Sequence, residues 1–176
     1  KKTLPPLSAD QVAAWQQALH DDPEAWRHVI EVLRFTPEAV DAAGLGLFVT
    51  RGRRWLMYPY RHAGRWTYAK GRSLGGEKDF HREPSGQPSH LYGLDDLERG
   101  GTAIVVEGER DVVAAHSMGL GAEFGGAGGA SIVSLPDGAK KKFSDEIIGP
   151  LKSQSNVILL TDADGPGDDA AAAIAE

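Results

Sequence analysis

The sequence predicts an α/β protein in two parts: a parallel sheet flanked by helices, preceded by a small basic α+β subdomain with helices at its N-terminus. Three observations predict it. From residue 102 onward, short apolar runs alternate with helix-length segments, the pattern of a parallel sheet covered on both faces. Between 45 and 72, aromatic and branched residues mix with cations around glycine-marked turns, the pattern of an antiparallel sheet. Between 8 and 43, apolar residues recur at helical spacing. The expected divisions are 1–44, 45–101 and 102–176.

In chain order, Ser8-Ala9-Asp10-Gln11 forms a capping box ahead of Val12, Trp15 and Leu19. Pro23 suits the first turn of a second helix carrying Trp26, Val29, Ile30 and Leu33. Thr36-Pro37-Glu38 opens a third, which Gly44 is placed to end. Three short strands follow, at 47–49, 54–60 and 65–70, with turns at Arg51-Gly52 and Ala63-Gly64. Residues 71–90 are rich in Gly, Ser, Pro and charge and read as a loop, and Gly100-Gly101 as a boundary. Parallel strands are expected at 103–106, 131–135 and 157–161, and helices at 111–118, 144–153 and 168–176, with a glycine-rich bridge at 119–130 that has no phosphate-loop signature.

Composition excludes several classes. With 41% hydrophobic and 25% charged residues the 176-residue chain is globular, and no apolar run is long enough to span a membrane. No secretory signal opens it. It has no cysteine, which excludes disulfides and cysteine-ligated zinc and is compatible with a cytoplasmic location. Lys1-Lys2-Thr3 lacks an initiating Met and the last helix reads as cut short, so a piece of a longer polypeptide is expected. The net charge of −6 is unevenly spread: residues 51–82 hold nine Lys/Arg against two acids, a balance of +7, which leaves −13 for the rest.

Two acidic motifs carry the chemistry. Val105-Val106-Glu107-Gly108-Glu109-Arg110-Asp111 ends one apolar run, and Leu159-Leu160-Thr161-Asp162-Ala163-Asp164-Gly165-Pro166-Gly167 ends another. Glu107 is a candidate general base or metal ligand with Asp111 beside it; equally, Asp111 can simply cap a helix while Glu107 is solvated. Asp162 and Asp164 alone read as a solvated loop. Taken together on consecutive strand-to-helix turns of one sheet, the four carboxylates become a cradle for Mg²⁺, which takes oxygen ligands, at the strand ends where such sheets bind ligands. Glu109 and Asp168-Asp169 read as surface or helix-start residues.

The basic segment interleaves cations with Trp55, Tyr58, Tyr60, Trp66 and Tyr68, aromatics expected mostly in the core on the alternate face. Arg and Lys beside aromatics suit single-stranded nucleic acid or triphosphates; a solvated sheet face is the plainer reading. Lys140-Lys141-Lys142 could meet phosphate or be a charged surface. The six histidines show no zinc-ligand spacing.

Glu107-Gly108-x-x-Asp111 followed by Asp162-x-Asp164-x-x-Gly167 resembles the Toprim domain shared by bacterial-type primases, topoisomerases and some nucleases. Tyr58-Pro59-Tyr60, Lys70-Gly71-Arg72, Lys78-Asp79-Phe80, Leu91-Tyr92-Gly93 and Val133 to Ala139 are similar to the primase half of T7-type phage primase–helicases and their mitochondrial relative. The resemblance covers roughly 45–176. It implies a Toprim-like sheet and a DNA-dependent RNA primase core, from a phage or mobile element, that makes short primers from NTPs on single-stranded DNA in a cleft between two subdomains.

In that reading Glu107 is the acid/base carboxylate, and Glu107, Asp111, Asp162 and Asp164 form the site for two Mg²⁺ or Mn²⁺ ions. Lys70 and Lys78, with Arg72 beside Lys70, face nucleotide and template, and a replicative helicase, fused or separate, is the expected partner. The alternatives are a Toprim-type metal-dependent nuclease and a degenerate primase region that only binds DNA for a fused helicase. Two departures stand out. Family primases carry a zinc-binding domain that this chain lacks, and the Toprim fold normally continues through further strands with another acidic residue.

Overall fold

The computed structural model describes residues 4–75, 79–124, 129–136, 143–162 and 164–175. The chain divides into two units, Lys1–Pro88 and Ser89–Glu176.

The first unit sets three helical segments against an antiparallel sheet. Helix α1 (Ala9–Asp21) starts on the expected capping box: Ser8 Oγ accepts from Gln11 N–H at 3.1 Å and Gln11 Oε1 accepts from Ser8 N–H at 3.0 Å. Helix α2 (Pro23–Arg27) is capped by Asp22, and the helix then widens into a π-helical turn over His28–Val32. Helix α3 (Pro37–Ala43) is capped by Thr36 and ends on Gly44 in the left-handed region.

The sheet runs in the order β1 (Gly46–Thr50), β2 (Arg53–His62), β3 (Arg65–Ser73), β4 (Phe80–Glu83). The expected loop at 71–90 thus contains the end of β3 and the whole of β4. Phe80-His81-Arg82-Glu83 has one apolar residue and no strand signature of its own; it is a strand because it pairs with β3 from Ala69 to Arg72.

One sheet face packs on α1, with Trp55, Met57 and Ala69 meeting Leu7, Val12 and Trp15. Gly71 keeps that face shallow, since a Cβ there would lie 2.8 Å from Met57 Sδ and 3.1 Å from His81 Cβ. A bulge between Tyr60 and Arg61 places Thr67 as an extra residue in the register and brings Trp66 to the helix side. The Thr67 hydroxyl donates to Tyr60 O at 3.1 Å, and its carbonyl accepts from Leu7 N–H at 3.2 Å.

The second unit is built on a three-stranded parallel sheet of order β6 (Ala130–Ser134), β5 (Thr102–Val106), β7 (Asn156–Leu160). Helix α4 (Glu109–Ser117) follows β5, and α7 (Gly165–Ala175) follows β7. The bridge expected at 119–130 holds a short helix, α5 (Leu120–Phe124). The helix expected over 144–153 is broken by Gly149-Pro150 into α6 (Asp145–Ile148) and a 3₁₀ turn over Leu151–Ser153.

Leu91, Ala103, Val105, Val133, Leu135 and Leu151 form the core, with Leu94 and Leu97 against it. Tyr92 bridges to Ser134 on the β6 edge. On the opposite edge β7 is not the buried strand its apolar run suggests: Val157 and Leu160 are exposed, because no strand lies outside it among the described residues. No helix among the described residues is long and apolar enough to cross a membrane.

Candidate active site

Strand β5 comes first in the sequence and lies in the middle of the sheet. The chain leaves it toward β6 on one side and later returns as β7 on the other. Strands β5 and β7 are thus adjacent in space but not in sequence, and beyond the C-terminal ends of such strands open α/β sheets place their ligand crevice. Glu107 and Asp162 stand at those ends. The two acidic motifs are thus neighbours in space and not on consecutive strands: β6 lies between them in sequence.

The crevice is tied together by main-chain groups. Glu107 Oε1 accepts from the backbone N–H of Asp162 at 3.0 Å. Asp162 O accepts from Asp164 N–H at 2.9 Å, closing a tight turn. Asp164 Oδ1 accepts from Gly167 N–H at 2.8 Å and so caps α7, where a carboxylate also meets the positive end of the helix.

Gly167 is buried against both motifs. A Cβ built on it would lie 2.1 Å from Asp162 O and 2.9 Å from Glu107 Oε1. On the other strand end, Asp111 Oδ2 accepts from Gly108 N–H at 3.0 Å, which makes Asp111 a cap of α4 as the plainer reading expects. Its carboxyl nevertheless titrates above the ordinary value. Desolvation by the surrounding protein is the main cause, the Gly108 hydrogen bond opposes it, and the negative charge of Asp162 adds to it. Glu109, expected as a surface or helix-start residue, opens α4 and is only 2% exposed.

The four acidic residues therefore meet at Asp162: the Glu107 carboxylate holds its backbone N–H, Asp164 N–H donates to its carbonyl, and its charge acts on Asp111 through space. Among the described residues no three Asp, Glu or His side chains gather closely enough to hold an ion by themselves. The donors are nonetheless all oxygens, and the like charges of Asp111 and Asp162 are only partly compensated. Mg²⁺ is usually bound by one or two carboxylates together with waters and substrate phosphates, so the donor set fits such an ion.

The basic segment lies in the first unit. Lys70 and Arg72 sit on one face of β3, opposite Tyr58 and Leu56 of β2 and Arg82 and Phe80 of β4. The tyrosines do not occupy the alternate face as expected. Tyr58, Tyr60 and Tyr68 are buried on the same face as the cations, with Tyr60 and Tyr68 stacked at 4.2 Å. Lys70 lies 5.6 Å over the ring of Tyr60, and Arg82 lies 3.9 Å over Tyr68.

Two other cations of the segment are held in ion pairs. Arg54 forks between Asp22 and Glu24 at 2.7 Å each, and Arg53 pairs with Asp79. Lys78 and Lys140-Lys141-Lys142 lie outside the described residues. Arg82, which sequence reasoning did not single out, shares the face of Lys70. Its signal was present in the spacing Lys70, Arg72, Arg82, but it depends on a strand that was not expected.

A family model described as Toprim-like matches residues 104–176. Over this stretch the chain is similar to Toprim-like domains. The chain is similar to the Twinkle homolog protein, chloroplastic/mitochondrial, of Arabidopsis thaliana, at 36% identity over 101 residues, covering 48% of this chain and 13% of that protein. It is also similar to the Primase homolog protein of Arabidopsis thaliana, at 32% identity over 128 residues, covering 64% of this chain and 34% of that protein.

Among solved structures it resembles the DnaG catalytic core, with a TM-score of 0.66 at 22% identity, over 92% of this chain and 63% of that one. The fold is thus that of a primase-type Toprim core, and the chain spans only about an eighth to a third of the length of the curated relatives. Glu107, Asp111, Asp162, Asp164 and Gly167 of the crevice described above all lie within the matched stretch.

Proposed function

We propose that this chain is the catalytic core of a DNA-dependent RNA primase, making short primers from NTPs on a single-stranded DNA template. The observation that carries the reading is the Glu107–Asp162 hydrogen bond at the β5 and β7 strand ends of the Toprim-like stretch, with Asp111 charged against Asp162 beside it.

Asp111, Asp162 and Asp164, with Glu107, would hold Mg²⁺ or Mn²⁺. When bound, the ions supply Lewis-acid activation of the primer 3′-hydroxyl and stabilisation of the leaving pyrophosphate. Glu107 orients the Asp162 loop through Oε1 and offers Oε2 to take up the proton of the attacking hydroxyl. Lys70, Arg72 and Lys78 supply the positive charge that a template strand and a triphosphate require. A replicative helicase, fused or separate, is the proposed partner, in keeping with the resemblance to T7-type primase–helicases.

The test is incubation of the protein with single-stranded DNA, labelled NTPs and Mn²⁺. Labelled oligoribonucleotides are expected; shortened DNA in their place identifies a nuclease. Asp162→Asn and Asp164→Asn should reduce synthesis at least a hundredfold, on the order of one lost transition-state contact, while template binding stays intact. Asn at 164 can still accept from Gly167 N–H, so the helix cap survives. Unchanged primer yield in both variants overturns the assignment.

A further inference from the structure

We propose that Phe80 is a stacking platform for an unpaired base of the single-stranded template. The inference rests on the primase reading above and adds a residue to which nothing yet assigns a role. Three cation–aromatic pairs line one face of the antiparallel sheet: Lys70 over Tyr60, Arg82 over Tyr68, and Arg72 over Phe80, the last at 4.2 Å. The first two are closed to a ligand, because both tyrosines are 0% exposed. The third opens: Phe80 is 57% exposed, on the edge strand β4, directly opposite Arg72.

An edge strand with an open aromatic ring is a liability for association with other chains. A lone exposed Phe is common on protein surfaces and needs no explanation. This one is different in two respects. Its ring is held by a guanidinium, and it continues a row of positive charge formed by Lys70, Arg72 and Arg82. Single-strand binding sites combine such a row, which tracks the phosphates, with aromatic rings on which bases stack.

The ring therefore supplies what the cations cannot, a contact to the base itself. Every base has a π-face, so the contact is tolerant of sequence. Arg72 then serves twice: it fixes the ring and meets the strand backbone.

The experiment measures binding of the protein to a ten-nucleotide oligo(dT) and to an abasic strand of the same length, by fluorescence anisotropy at low salt. Phe80→Leu keeps apolar bulk and removes the π-face; Phe80→Trp restores it. Phe80→Leu is expected to weaken oligo(dT) binding roughly five- to a hundredfold, with abasic binding and the salt dependence unchanged. Phe80→Trp should bind like the parent. Arg72→Ala should weaken both strands and lower the salt slope by about one.

The inference is overturned if Phe80→Leu binds oligo(dT) as the parent does, or loses both strands equally. It is also overturned if the variant loses NTP binding alone, which would place an incoming base on the ring instead. A parent that binds and primes while Phe80→Leu is indistinguishable from it refutes the platform only. A parent that neither binds single strands nor makes primers refutes the primase reading and the platform with it.

Discussion

Glu107 and Asp162 belong to different strands, and the side chain of the first holds the backbone of the second at 3.0 Å. The carboxylate thereby fixes where the second acidic motif begins. Asp162 in turn acts on Asp111, whose carboxyl its negative charge helps to push up. The residue that keeps this spacing is Gly167, which leaves room where any side chain would intrude.

Gly167→Ala should separate the motifs. Its Cβ would overlap Asp162 O and press on Glu107 Oε1, although alanine is the better helix former. The expected outcome is a loss of about 1–3 kcal/mol of stability from overpacking and at least a tenfold loss of primer synthesis from misplaced groups. Gly165→Ala is the matched control, since a Cβ there meets nothing within 4 Å. Thermal denaturation and a primer assay on both variants check the contrast.

A second glycine supports the basic face from behind. Gly71 stands between Lys70 and Arg72, and a Cβ on it would crowd Met57, His81 and Trp55. Gly71→Ala should cost about 1–3 kcal/mol and weaken single-stranded DNA binding without removing any charge. Calorimetry and anisotropy measure the two effects separately. An unchanged denaturation midpoint would contradict the packing described for that face.

Acid should loosen the first unit at a defined place. The Asp22 carboxyl titrates below its ordinary value of 3.8, chiefly through the hydrogen bond from Ala25 N–H; desolvation, the next largest effect, opposes this, and Arg54 adds to the lowering. A depressed carboxyl stabilises the fold above the unfolded value, and that contribution is lost as pH falls through the folded one. Asp22→Ala should therefore be less stable than the parent at neutral pH, by about 0.5–2 kcal/mol for the helix cap, and the gap should close at strongly acidic pH. Denaturation midpoints across the acid range test this, with Arg54→Ala giving the share due to the ion pair.

Much of the architecture was legible in the residues. The three parallel strands lie within one residue of expectation because each is a short apolar run that needs no outside help to be recognised. The caps of α1 and α3 were equally plain, since Ser8 and Thr36 act on residues three positions away. What stayed hidden depends on contacts across the chain. Strand β4 exists only through its pairing with β3, and the exposure of β7 follows from its edge position.

The tyrosines share the face of the cations because Lys and Arg stems can cover aromatic rings while keeping their charge toward water. Glu107, Asp111, Asp162 and Asp164 were readable as a set from spacing. Their strands were expected to be adjacent, as β5 and β7 are, but as consecutive strands; that β6, which falls between them in sequence, lies on the other side of β5 is settled only by order across the sheet.

The central position of β5 has a consequence for how the protein is made. Glu107 and Asp162 are 55 positions apart, and pairings between distant segments form slowly because a long loop must close first. A chain leaving the ribosome carries Glu107 and Asp111 well before the strand that completes their crevice has been synthesised. The crevice is therefore complete only after β7 has docked, and Glu107 and Asp111 stand without their partner Asp162 until translation has moved past residue 162.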